Sequence, residues 1–420
     1  MLPAGPVMLR AASVTRRAGP VAILALVLVV TACGSLRETV SPVAAQPVRE
    51  LLYVATSTGT AIVDATADRL VASLPPGILL PDRSAYWTVE PGARTAVRAL
   101  DPVTGSEAAA FSVDGQWAPP GSYGPAPSGI SRNGKWMVLV GPKATTTAGI
   151  VNRIAVVDLA NRRLDRVITA FGDVSFDAVS DDGKNVYLVE HLVPSPHYVV
   201  RVASFQNSGF ADGVLGQIKT AEPEVMNGLY HASVAVSGDW FLSLYSNPTR
   251  GPFIHALNTT QLYAQCILNM PDVPVALRPA WAMVLDPRHS TLYAVNGPGG
   301  AVSEVDTMAL VVRRSNIDLA PAASALSTVP LHPAALSSDS TRLYVAGERG
   351  VLVIYTGDLS VRSRYLQDML VDSVAVSEDG QRLYVVSRGE VMKIEAATGR
   401  PLGRLASAPL ALGILAMSGR

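Results

Sequence analysis

From Leu51 onward the chain alternates apolar and polar residues in short runs separated by turns rich in Gly, Asp, Ser and Asn. Period-two alternation in runs rich in Val, Leu, Ile and Tyr predicts half-buried strands joined by hairpins. The stretch Val371–Leu405 sets out the unit most plainly: SVAVS, the turn EDG, RLYVVS, a loop, VMKIE, the turn AATG and the segment PLGRL. This is one four-stranded antiparallel sheet. A single such sheet cannot cover its own two apolar faces, so it needs copies of itself on either side.

The copies follow one another along the chain. Leu51–Leu74 matches the second, third and fourth strands and lacks the first. Ile78–Val113 is the most irregular unit, and a clearer one ends at Phe171. Further units run Asp177–Thr220, Ser233–Leu268, Trp281–Leu319 and Ala334–Leu366, before the unit at Val371–Leu405. One apolar fragment, Pro409–Ser418, remains over and reads as a lone first strand. A chain that begins with a sheet lacking strand one and ends with an unattached strand one predicts ring closure, which removes the open edge. The fold class expected is therefore all-β, a β-propeller of eight blades, or seven if Pro75–Val113 belongs to a neighbouring blade.

The second-strand runs LYVAT, VYLVE, LYAVN, LYVAG and LYVVS, most of them preceded by Ser-Asp-Gly-type turns and followed by V-x-V-x-D-type strands, resemble the YVTN repeats of bacterial extracytoplasmic propellers. The resemblance covers the chain from about Leu51. It implies the propeller fold, but not one activity, because such propellers include binding proteins, lactonase-like enzymes and redox enzymes.

Composition narrows the partners. The chain has 420 residues with 34 basic and 34 acidic side chains, so it has no basic excess of the kind a nucleic-acid groove requires. At the N-terminus, Arg10, Arg16 and Arg17 precede the apolar run Val21–Val30, followed by Thr31, Ala32 and Cys33. A basic region, a short apolar core and a small residue before the cut describe a secretory signal. The run VTAC resembles a lipobox, which implies a signal peptide over residues 1–32 and lipidation of Cys33. Residues 33–50, rich in Ser, Pro and charge, read as a tether, and 51–420 as one propeller domain. The expected localisation is a membrane, lipid-anchored on its extracytoplasmic side. Cys266 reads as a buried, inert thiol.

Most acidic residues have structural work. Asp182, Asp239, Asp339 and Asp379 fall in turns between first and second strands, and Asp64, Asp101, Asp158 and Asp306 close third strands, where Asp accepts backbone N–H groups. Tyr53, Tyr187, Tyr293, Tyr344 and Tyr384 recur at one blade position and read as packing residues. No C-x-x-C-H, H-E-x-x-H, paired-cysteine zinc pattern or G-x-S-x-G occurs, so no cofactor or metal is expected. Gly297, Gly299 and Gly300 read as a plain turn.

Connections between strands one and two and between three and four are tight, whereas the others, which emerge on the opposite face, are long and varied. Binding residues concentrate on such loops. On that face His231, Trp281, His332 and Asp372 stand at or beside the starts of first strands, Arg278 lies just upstream of Trp281, His191 and His197 lie in a neighbouring loop, and Arg388 and Glu390 occupy the one such loop of the last unit. The function expected is non-enzymatic binding of a protein or envelope ligand through this face. The alternative is a lactonase-like hydrolase with His231, His332 and Asp372 at the channel mouth.

Overall fold

The turn between first and second strands is the element the sequence dictates most directly. Among the described residues, four blades carry a serine two residues ahead of an Asp or Asn; the hydroxyls of Ser180, Ser337 and Ser377 donate to Asp182, Asp339 and Asp379 at 2.7, 2.6 and 2.5 Å. Each carboxylate also takes the N–H two residues on, from Lys184, Thr341 and Gln381. Each serine oxygen takes the N–H that opens the next strand, from Asn185, Arg342 and Arg382. Ser131 and Asn133 build the same box. The Ser337 hydroxyl and the Thr341 N–H hold the Asp339 carboxyl below its ordinary range, a sign that it serves the turn as a carboxylate. Asp64, Asp101, Asp158 and Asp306 close the opposite hairpins by accepting N–H groups two or three residues on.

These hairpins assemble, in a computed structural model, into eight four-stranded antiparallel sheets arranged as a ring. The structure describes residues 49–420 except 81, 122–128, 148, 193–196, 205–225, 228, 237–238, 248–250, 289, 321–322, 328 and 420. It gives only the backbone for 197–198, 204, 226–227, 229–235, 246–247, 264–267 and 419. The expected signal peptide, Cys33 and nearly all of the expected tether lie outside the described residues, as does the expected strand VLGQIKT; the outer edge of blade four is formed by Met226–Asn227.

Blade one is composite. Its inner strand is the C-terminal Gly413–Gly419, paired antiparallel with Glu50–Thr56, and Gly59–Asp64 and Arg69–Leu74 follow outward. Blade two (Gly77–Leu79, Tyr86–Glu90, Arg94–Leu100, Glu107–Asp114) is a complete sheet, so the ring has eight blades rather than seven. Blade three consists of Trp136–Val140, Gly149–Asp158 and Arg163–Phe171. Its inner edge is made by two isolated bridges, Ala118–Val140 and Ile130–Met137, and the long connection after Val140 is a hairpin extension, Ala144–Thr146 against Gly149–Val151. Blade four begins with Asp173–Val179, Asn185–His191 and His197–Ser204, and blade five comprises Leu229–Val236, Trp240–Asn247, Gly251–Asn258 and Tyr263–Asn269. Blades six, seven and eight start at Ala282, Ala334 and Ser373.

Alternation gives every blade two apolar faces. In blade five Leu242, Leu244, Ile254 and Ala256 pack toward Leu292, Ala294 and Val305 of blade six, whereas Phe241 and Leu257 pack toward Ala178, Tyr187 and Val202 of blade four. Each fully buried side chain of this size is worth roughly 1.5–3 kcal/mol, so the seams between blades hold the ring. The recurrent tyrosines key these seams. Tyr187 donates to the carbonyl of Thr259 at 2.8 Å, Tyr344 to that of Ala396 at 3.5 Å, and Tyr384 to Glu50, in each case across to the next blade.

Candidate functional site on the loop face

Glu50 pairs with Gly419, and both lie at the end of the blades that carries the Ser-x-Asp turns. Arg49, the first described residue, therefore enters on the tight-turn face, and the long connections occupy the opposite face.

Several expected site residues lie within the scaffold of that face. The connection from blade five to blade six forms a short 3-10 turn, Val275–Ala280, in which the buried Arg278 donates to the carboxylate of Asp272 at 2.8 Å and the carbonyl of Val273 at 3.3 Å. Trp281, which ends the turn, is buried in the core between blades five and six. Both side chains fix the connection rather than line an opening. His191 is the last residue of its strand and His197 the first of the next, so they flank a loop instead of lying within it. The His191 ring shares a 3.1 Å hydrogen bond with the hydroxyl of Ser175. His231 sits at a bulge in the inner strand of blade five, where only its backbone is described. The Gly297–Gly300 turn is buried; a Cβ on Gly297 would stand 2.3 Å from the carbonyl of Ala346, which is why the position is glycine.

His332 and Asp372 stand just ahead of the inner strands of blades seven and eight, and Arg388 lies in the loop-face hairpin of blade eight. His332 has φ +53°, and its carbonyl takes the N–H of Val374 at 3.1 Å and the hydroxyl of Ser373 at 3.2 Å. The Ser373 oxygen in turn takes the N–H of Ile414 at 3.0 Å, so three blades are tied in sequence. The Nε2 of His332 is enclosed without a partner, and burial pushes the imidazole down to about 4, so it is neutral at neutral pH. Asp372, beside Ser373, donates its N–H to the carbonyl of Val386. Arg388 is exposed at φ +50° in the two-residue hairpin closed by the Ser387–Glu390 pair. Glu390 accepts from Arg404 at 2.9 Å and so belongs to its own blade's edge.

Apolar side chains stand beside these positions. Leu410 lies over the hairpin, 2.3 Å from where a Cβ on Gly389 would be, and Leu331 packs against Gly413. Val329, Leu410 and Leu412 are 63%, 72% and 53% exposed. The large apolar residues exposed on the tight-turn side, such as Leu70, Leu262, Met308 and Leu402, stand on outer strands and turns along the rim. Among the described residues no three His, Cys, Asp or Glu side chains converge to hold a metal ion.

The seam between blades four and five holds polar residues that the sequence pattern did not single out. Asp177 is the extra residue of a bulge between Phe176 and Ala178. The bulge turns its side chain into the seam, where it is 5% exposed and accepts from the Ser243 hydroxyl at 3.3 Å. Ser243 stands directly across from His255, which is 1% exposed. The ring of Tyr245 meets His255 edge-on at 6.4 Å and stacks on Phe253 at 5.5 Å. Burial pushes the Asp177 carboxyl up to about 7 and the His255 imidazole down to about 4. The only advance signal was that Asp177 breaks the alternation of its strand.

No protein-family model and no curated protein sequence matches the chain. Solved structures do resemble it. Dihydro-heme d1 dehydrogenase NirN, in a complex with DHE, is 12% identical over 88% of this chain and 74% of its own, with a TM-score of 0.52. AztD from Citrobacter koseri is 12% identical over 89% of this chain and 98% of its own, with a TM-score of 0.48. At this identity the likeness establishes the class of fold, a β-propeller, and nothing of its activity.

Proposed function

We propose that the protein is a lipid-anchored, extracytoplasmic, non-enzymatic propeller that binds a protein partner through its loop face, over blades seven, eight and one. The observation that carries this reading is the exposure of Val329, Leu410 and Leu412 on the loop face, with Leu410 over the hairpin that exposes Arg388. Apolar side chains rimmed by charge mark protein contacts, and a few such anchors usually carry most of the binding energy. No placement of His332 and Asp372 favours hydrolysis specifically.

A photo-crosslinking residue at Leu410, in the full-length protein made in its own cells, tests the proposal against the same residue at Met308 on the other face. The expected result is a discrete adduct from position 410 alone, weakened about tenfold or more in a Val329→Asp, Leu412→Asp background. Equal adducts from both faces, or none from position 410, would overturn it.

A further inference from the structure

In the seam between blades four and five, one carboxylate oxygen of Asp177 and both ring nitrogens of His255 are enclosed without a hydrogen-bond partner among the described residues. Buried polar atoms are nearly always satisfied, by protein or by ordered water, because leaving one dry forfeits its full solvation. Three orphans lie around one residue, Ser243, which is bonded to Asp177 and directly opposite His255. Residues opposite each other across a ladder have Cβ atoms about 5 Å apart, within the span of one bridging water.

The seam also has a polar approach from the loop face. Ser175 lies two residues before Asp177 on the same strand, nearer the loop face, and shares its exposed hydrogen bond with His191. From that face inward, the polar positions run Ser175 with His191, then Asp177, Ser243 and His255. Bulges recur where a strand must re-aim one side chain at a site, and the bulge here does so for Asp177.

We infer that this seam is a hydrated site, in which a short file of bound water enters beside Ser175 and His191 and joins the free oxygen of Asp177 to the His255 ring. The ligand class is water, with two to four polar partners for each molecule. One ring nitrogen of His255 is bonded through the file to Asp177, and the other is met by a second water.

Two measurements on the intact protein test this. A crystal structure at a resolution that defines solvent is expected to place ordered water within hydrogen-bond distance of Asp177 Oδ2 and of at least one ring nitrogen of His255. NMR on histidine-labelled protein is expected to show cross-relaxation between water and the His255 ring. A seam closed on itself, with no solvent atom on either group, overturns the inference, as does the absence of the water signal. His255→Gln, which keeps hydrogen-bonding atoms in place, is expected to retain the water on Asp177, and His255→Leu to lose it. Retention in the leucine variant would likewise count against the bridging file.

Discussion

Glu50 and Asp177 are both carboxylates buried at seams between blades, and the protein treats them differently. At the seam that closes the ring, Glu50 of blade one takes Arg382 Nη2 of blade eight at 2.9 Å on one oxygen and the hydroxyl of Tyr384 on the other. Arg382 also binds Asp379 of its own turn box at 2.6 Å, so the first and last blades share one network. Between blades four and five, Asp177 has only the hydroxyl of Ser243, and its pKa rises instead. A buried carboxylate that meets a guanidinium can stay charged and act as a clamp. One that is buried with a hydroxyl and no guanidinium retains its proton to higher pH, because burial disfavours the charged form. The closing seam is thus held by an ion pair, and the other by a hydroxyl on a buried carboxyl.

Removing the closing strand, by ending the chain at Leu412, is the most severe way to break this contrast. It exposes the whole edge of Glu50–Thr56, a template for pairing with other chains. The expected outcome is loss of a single cooperative melt together with aggregation in size-exclusion chromatography. A sharp, monomeric transition in the truncated chain would show that closure matters less than the blade seams.

Asp177→Asn addresses the other seam. The folded protein holds the Asp177 proton up to about pH 7, whereas the unfolded chain releases it near 4. Between those values the folded state binds more protons, so Asp177 lowers stability as pH rises, by up to about 1.4 kcal/mol per pH unit. His255 acts oppositely. Its folded value near 4 lies below its ordinary value, so its contribution rises with pH between about 4 and 6.5. The groups packed around Asp177 are Ser243 and His255 from blade five and Tyr187 from its own blade, none of them charged near neutrality. Because His332 adds a second rising contribution in the same range, urea unfolding is expected to give a profile that climbs with pH for the wild type and climbs more steeply for Asp177→Asn. The variant is expected to gain on the order of 3 kcal/mol at pH 7. An unchanged profile would mean that Asp177 is already ionised in the fold.

Glu50→Ala is expected to have a smaller effect. Breaking a fully buried pair costs roughly 3–5 kcal/mol, but Arg382 keeps a third of its side-chain surface in water and retains Asp379, so about 2–3 kcal/mol is expected by denaturant melting. A loss as small as that of an ordinary surface substitution would remove Glu50 from the closure network.

Much of this architecture was legible in the chain. The Ser-x-Asp turns and the unattached strand at Pro409–Ser418 are each satisfied within one hairpin or by one strand pairing, and the recurrent tyrosines pack at one repeated position against the next blade. Trp281 and Arg278 show the limit of that legibility. Their position beside a first strand placed them near the channel mouth, yet packing and the Asp272 carboxylate fold them into the connection. His332 and Asp372 were correctly placed at neighbouring strand starts, but their link runs through Ser373 and Ile414, which no periodicity marks.

The sequence by itself determined the blade unit, its repetition and the closure of the ring, because these follow from period-two alternation, turn chemistry and the need to cover two apolar faces. The tertiary structure alone decided which polar residues meet. Asp177, Ser243 and His255 lie on different strands of two blades, and a single inserted residue turns Asp177 into the seam. Alternation says on which face of a sheet a side chain stands, but the bulge and the packing of one blade on the next decide what it faces there.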